Sequence, residues 1–236
     1  MTTVPYKGSP IFNDDGTFRK EDDKVQGRSY SSNLTKLLKQ LPKLQNLQEG
    51  KPASPVMAHI SLTNACNLTC SFCCFANRDI SEKMPTEKVF QALESFKAIG
   101  VTGVEFTGGG EPSIHPHFKE IVQYAKDLGF SLGICTNGAR FGADRPIKKD
   151  IVELFDWVRL GMYGFYEGYD YDLSVFDGTN CKPSAAYVWD ENLETSKNPN
   201  ITGEWSDVKN KRVLSKKFQT TENFIRMLDW VEEKGI

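Results

Sequence analysis

Three cysteines, Cys66, Cys70 and Cys73, stand at C-x3-C-x2-C spacing in the stretch Cys66-Asn67-Leu68-Thr69-Cys70-Ser71-Phe72-Cys73. Thiolates suit zinc and iron–sulfur clusters alike, so the triplet by itself leaves an iron–sulfur enzyme, an electron-transfer site and a zinc site open. Its count is informative, because three thiolates on one short loop can hold three irons of a cubane and leave the fourth without a protein ligand. Cys74 follows directly, yet adjacent residues rarely both reach one cube and a fourth thiolate would close it, so Cys74 is taken as a buried neighbour. Six cysteines would permit disulfides in a secreted chain. Residues 1–20 lack the apolar segment of a signal peptide, and clustered thiols then point to metal binding in a reducing, cytoplasmic setting.

The elements that must position this loop follow from the period of the apolar residues. Val56, Ala58, Ile60 and Leu62 alternate as a strand that runs into the cysteines. A helix capped at Thr86 carries Val89, Phe90, Leu93, Phe96 and Ile99 and stops at Gly100. Residues 101–107 form a second strand, and Phe118, Ile121, Val122, Ala125 and Leu128 mark a helix stopped by Gly129. A third strand over 130–136, a helix over 147–155 and a fourth strand over 157–162 complete the pattern. Strands alternating with helices predict an α/β fold with a parallel sheet and right-handed crossovers. The main domain is expected over 51–236, with a long insertion at 163–220 and a last helix bearing Phe224, Ile225, Leu228 and Val231. Before it, residues 1–50 comprise a polar arm and an amphipathic helix starting near Asn33 and interrupted or bent at Pro42. A sheet ending after four βα units leaves an exposed edge, which predicts that a C-terminal segment or another subunit completes it.

In parallel α/β folds ligands bind at the carboxyl ends of the strands. Four loops fall there: the cysteine loop, Thr107-Gly108-Gly109-Gly110-Glu111-Pro112, Cys135-Thr136-Asn137-Gly138 and Gly161-Met162-Tyr163-Gly164. The cysteine triplet after the first strand and Gly-Gly-Glu-Pro after the second make the chain resemble the radical S-adenosylmethionine (SAM) superfamily, in its partial (βα) barrel form, over residues 56–162. The resemblance implies that Cys66, Cys70 and Cys73 bind a [4Fe-4S] cluster whose open iron is chelated by SAM. It implies that an external one-electron donor such as flavodoxin or ferredoxin reduces the cluster, and that SAM is cleaved to a 5′-deoxyadenosyl radical that takes hydrogen from a substrate. By the same resemblance Gly108, Gly109, Gly110 and Glu111 face the methionine ammonium, Phe72 lies near the adenine, and Thr136 and Asn137 border the SAM site. The family's serine at the end of strand four is absent from Gly161–Gly164, and the family's fifth strand, which gives the adenine an apolar contact, is expected to have no counterpart here. Two rival readings are a truncated or degenerate relative and a non-catalytic iron–sulfur or zinc module.

The remaining candidates are plainer. Cys135 is expected in the core and Cys181 alone in the insertion; His59 is expected to be buried and satisfied, and His115 and His117 flank a proline with no spaced acid to make a metal site. The insertion is rich in tyrosine and in Trp189 and Trp205, as a lid or binding element would be. A net charge of -2 gives no basic field for nucleic acid, and no apolar run approaches the roughly 20 residues a membrane-spanning helix needs.

Overall fold

The computed structural model describes residues 40–70, 73–75, 77–141, 147–164, 171–188, 212–213 and 221–235. The chain divides into two units, Met1–Ser54 and Pro55–Ile236. In the first, helix α1 spans Leu41–Gln48 and buries none of its side chains. Pro42 falls in its first turn, where a backbone N–H would have no acceptor within the helix, so α1 tolerates the proline at its start. The expected helical residues before Leu41 lie outside the described residues.

The second unit is built on a five-stranded parallel sheet in the order β1 (Met57–Ile60), β3 (Gly103–Phe106), β4 (Ser131–Thr136), β5 (Trp157–Gly161) and β6 (Lys182–Ala186). Helices α2 (Thr86–Ala98), α3 (Phe118–Asp127) and α4 (Lys149–Val152) connect its strands, and α5 (Thr221–Lys234) follows β6. This is the parallel α/β architecture that the alternating pattern predicts. Gly100 and Gly129, at φ of 84° and 80°, stop α2 and α3 where only a residue without Cβ turns left-handed at no cost. The helix expected over 147–155 is shorter, one turn of α-helix followed by turns.

The stretch expected to be an insertion contributes a strand. Residues Lys182–Ala186 pair with Trp157–Gly161 in parallel register, Trp157 opposite Lys182 and Gly161 opposite Ala186. The pairing begins where the Lys182 N–H donates to the Asp156 carbonyl at 3.0 Å. Its carboxylate also accepts from the Leu132 N–H at 2.9 Å, so one acid aligns the entry to β4, β5 and β6. The edge that four strands would have left bare is therefore covered by the chain itself. A second small pairing joins β2 (Leu68–Thr69), inside the cysteine loop, to β7 (Arg212–Val213).

Alternation divides the sheet's two faces sharply. Ile60, Val104, Phe106, Leu132, Ile134, Val158 and Leu160 pack beneath the helices with Val89, Leu93, Ile121 and Val122, all at most 4% exposed. Phe106 meets Phe118 and Phe155 edge-on, with ring centroids 6.5 and 6.3 Å away. The opposite face carries His59, Glu105, Cys135 and Arg159, whose side chains meet one another. Truncating Phe106 to alanine should lower the stability to urea by about 3–5 kcal/mol, through lost burial and the cavity left behind. Ile225→Ala, on the 52% exposed face of α5, should change it by less than about 0.5 kcal/mol. Equal effects of the two substitutions would contradict this assignment of the core.

Candidate active site

The cysteine loop is pinned at its entry. Beyond β1, the Asn64 N–H donates to the Glu82 carbonyl at 2.9 Å and the Met84 N–H to the Leu62 carbonyl at 2.9 Å, so residues 62–64 are strapped to 82–84. Leu68, 2% exposed, packs with Cys66, Cys70, Tyr163 and Tyr187 and anchors the turn between the first two thiols. Cys66, Cys70 and Cys73 are half-buried. Burial pushes the Cys66 thiol up, and it pushes Cys70 up further with help from the neighbouring Cys66 and Cys73. Three thiolates so placed repel one another and lack water, a donor set that becomes favourable when a cationic metal group takes the protons' place. Among the described residues no three His, Cys, Asp or Glu side chains gather closely enough for a single metal ion. A cubane takes its thiolates at separate corners, so the three half-buried thiols on one loop fit a cluster of that kind.

Two donors reach these sulfurs. Arg78 Nη1 donates to Cys73 Sγ at 3.4 Å and to the Phe75 carbonyl at 2.6 Å, while its Nε donates to the Asn64 carbonyl at 2.5 Å. From the other side, Asn137 Nδ2 approaches Cys66 Sγ at 3.6 Å and donates to Asn67 Oδ1 at 2.7 Å.

The glycine loop lies directly against this entry. A Cβ on Gly110 would stand 1.9 Å from the Ala65 carbonyl oxygen, and one on Gly109 would stand 2.3 Å from Asn64 Oδ1. Gly110 is required because the chain's own backbone passes there, Gly109 instead faces the Asn64 side chain, and the Glu111 N–H donates to the Ala65 carbonyl at 2.8 Å. The close approach expected for a ligand is thus already made by the cysteine loop. Glu111, 2% exposed, lines the same cavity as the thiols. Its Oε1 accepts from Ser113 Oγ at 2.6 Å, the Ser113 N–H at 3.1 Å and Thr136 Oγ1 at 2.7 Å, and its Oε2 accepts from the Asn137 N–H at 2.7 Å. Both carboxylate oxygens are committed to joining the loops after β3 and β4. Thr136 and Asn137 are therefore brought to Glu111, and Asn137 extends from it to the cysteine loop.

These pieces line one cavity of about 340 Å³, together with residues the sequence did not single out. Its walls include Cys66, Cys70, Cys73, the Gly108–Gly110 backbone, Thr136 and Asn137, and across from them Arg159, Cys135, Tyr163, Ala186 and Val188. Tyr163 fills the space left by Gly161, where a Cβ would stand 2.4 Å from its ring. Cys135 is half-buried and faces this cavity, not the apolar core. It donates to Glu105 Oε1 at 2.8 Å, and burial, then that hydrogen bond, raises its thiol to about 11. Glu105 also stands 3.4 Å from His59 Nε2 and 3.8 Å from Arg159 Nη2. An acidic residue inside a strand was the available signal for this polar face; Arg78 and Arg159 had none beyond their type.

Other expectations resolve individually. Cys74 is exposed and Cys181 buried, and the His59 side chain is 61% exposed where burial was expected. His115 is buried, its Nδ1 accepts from the His117 N–H at 3.2 Å, and its Nε2 therefore carries the proton donated to the Met84 carbonyl at 3.1 Å. Burial lowers its basicity, which keeps that neutral tautomer. His117 pairs with Glu120 at 3.1 Å, an acid the sequence reading did not connect to it. Phe72, Trp189 and Trp205 lie outside the described residues.

Comparison with known proteins bears on the same loops. The family model of the radical SAM superfamily matches residues 60–168. A SAM-dependent nucleotide dehydratase of Selenomonas ruminantium is 31% identical over 104 residues, covering 44% of this chain and 38% of that protein. The sporulation killing factor maturation protein SkfB of Bacillus subtilis (strain 168) is 34% identical over 85 residues, 36% of this chain and 20% of that protein. Among solved structures, Streptococcus suis SuiB bound to SAM superposes with a TM-score of 0.51 at 20% identity, over 89% of this chain and 46% of that one, a likeness of fold. The matched stretches span less than half of each of these proteins.

Two predictions follow from the geometry. Glu111→Gln replaces one acceptor oxygen with an N–H donor that faces buried donors and should cost about 1–3 kcal/mol, read as a lower urea midpoint with unchanged slope; an unchanged midpoint would contradict the clamp. In the metal-free chain, iodoacetamide at pH 8 should label Cys74 well before Cys135, because a thiol at about 11 is roughly one part in a thousand thiolate there. Cys135 labelling should rise about tenfold per pH unit towards that value, and early labelling at pH 8 would contradict its hydrogen bond to Glu105.

Proposed function

We propose that this chain, which belongs to the radical SAM superfamily, is a radical SAM enzyme in which Cys66, Cys70 and Cys73 are the cluster ligands. The family's cofactors, a [4Fe-4S] cluster and SAM, supply when bound the one-electron cleavage that yields a 5′-deoxyadenosyl radical able to take hydrogen from a substrate. The observation that carries the reading is the common cavity: the three thiols, the glycine loop and the ends of β4, β5 and β6 all line it.

The protein's contribution is placement and exclusion of water. Three half-buried thiols offer ligands on one side of the cavity, where Leu68 and Tyr163 limit access of solvent. The backbone of Gly108–Gly110 presents polar groups without side chains to the same space, and this is where the amino acid portion of SAM is placed. Glu111 holds that loop in position through Ser113, Thr136 and Asn137, a supporting role in place of direct contact. Ala186 and Val188, at the end of the fifth strand, supply the apolar wall proposed for the adenine. With that strand present, the main ground for reading the chain as degenerate is removed. The substrate is proposed to enter along the polar face of the sheet, towards Cys135 and Arg159, and an external donor of the flavodoxin or ferredoxin kind to supply the electron. No helix among the described residues is long and apolar enough to cross a membrane.

Anaerobic reconstitution with iron and sulfide should give a [4Fe-4S] spectrum, and addition of dithionite and SAM should give 5′-deoxyadenosine. Cys70→Ala should abolish both. Undiminished 5′-deoxyadenosine from that variant would overturn the assignment, and stoichiometric zinc with no charge-transfer absorption would favour a non-catalytic metal module.

A further inference from the structure

We propose that Arg78 sets the reduction potential of the cluster by holding its guanidinium against the Cys73 thiolate, an inference that rests on the cluster assignment above. The side chain is half-buried, and its position is determined by backbone on either side of the triplet. Its Nε donates to the carbonyl of Asn64, ahead of Cys66, and its Nη1 to the carbonyl of Phe75, behind Cys73. Those two contacts leave Nη1 3.4 Å from Cys73 Sγ. The charge is thereby held beside one ligand sulfur by two backbone carbonyls.

The direction of the effect follows from electrostatics. A cluster gains one negative charge on reduction, and its potential depends on net charge, on hydrogen bonds to its sulfurs and on solvent exposure. A cation donating to a ligand thiolate stabilises the more negative, reduced form over the oxidised one. Arg78 therefore raises the potential and widens the range of donors able to reduce the site. The three ligands are not equivalent in this respect. Cys73 receives a charged donor and Cys66 faces the neutral amide of Asn137 at 3.6 Å. Arg159, the other arginine on the cavity wall, lies beside Glu105, which offsets its charge.

Arg78 also ties the loop together, so the experiment must separate charge from tethering. The midpoint potential of the anaerobically reconstituted cluster is measured by EPR-monitored redox titration for the unaltered protein, Arg78→Lys and Arg78→Met, with iron and sulfide counted in each. The expected result is full iron content with a midpoint shifted to more negative potential in Arg78→Met, and a smaller shift in Arg78→Lys, which keeps the charge. Equal midpoints, or a shift to more positive potential, would overturn the inference while leaving the cluster assignment standing. Loss of iron from both variants would make Arg78 a tether only and would also overturn it. Failure of the unaltered protein to assemble a [4Fe-4S] cluster would remove the cluster assignment itself, and the inference with it.

Discussion

The carboxylate of Glu111 is the joint on which the site depends. It is almost fully buried, and a buried carboxyl group is costly unless it is hydrogen-bonded; Ser113, Thr136 and Asn137 direct four hydrogen bonds at it. Two of those donors come from the last residue of β4 and the residue after it, and the backbone of Glu111 itself bonds to Ala65 beside the first cysteine. One residue, through its side chain and its backbone, thus ties together three strand ends. The glycines before it are the steric counterpart, since any Cβ at Gly110 would collide with the Ala65 carbonyl and drive the loops apart. Cysteine placement is in this sense a consequence of the clamp and of the strap between residues 62–64 and 82–84.

A second constraint comes from the sheet's two unlike faces. The helix-covered face is a continuous apolar core, and it supplies the rigidity that a precise site needs. The other face spends its strand positions on His59, Glu105, Cys135 and Arg159, which offer charge and hydrogen bonds where a packed interior would have offered methyl groups. A buried acid here is stable because Cys135 donates to it and two basic groups stand nearby. Cys135 and Arg159 of this face line the same cavity as the three thiols and the glycine loop.

Much of this was legible in the residues. The period of Val89, Leu93 and Phe96 and of Ile121, Val122 and Ala125 marked helices, the alternating runs marked four strands, and the cysteine and glycine loops fell at strand ends where chemistry gathers. The fifth strand was not legible, because Lys182-Pro183-Ser184-Ala185-Ala186 has neither alternation nor β-branched residues and contains a proline. It is a strand because β5 offers it a partner and Asp156 aligns its start, a tertiary effect that outweighs weak propensity. The role of Glu111 was hidden for a related reason. Its partners Thr136 and Asn137 are about 25 residues away, and only folding shows that an acid in a ligand-like loop is already satisfied. Pro42 stands in the first turn of α1, where a helix tolerates proline.

The central claim is that three thiolates hold a cluster with one iron left open for SAM. Mössbauer spectroscopy of protein reconstituted with 57Fe, recorded before and after addition of SAM, addresses it directly. The account predicts four irons of which one changes its isomer shift towards higher coordination when SAM is added, while three stay as they were. Four irons unaffected by SAM would contradict it.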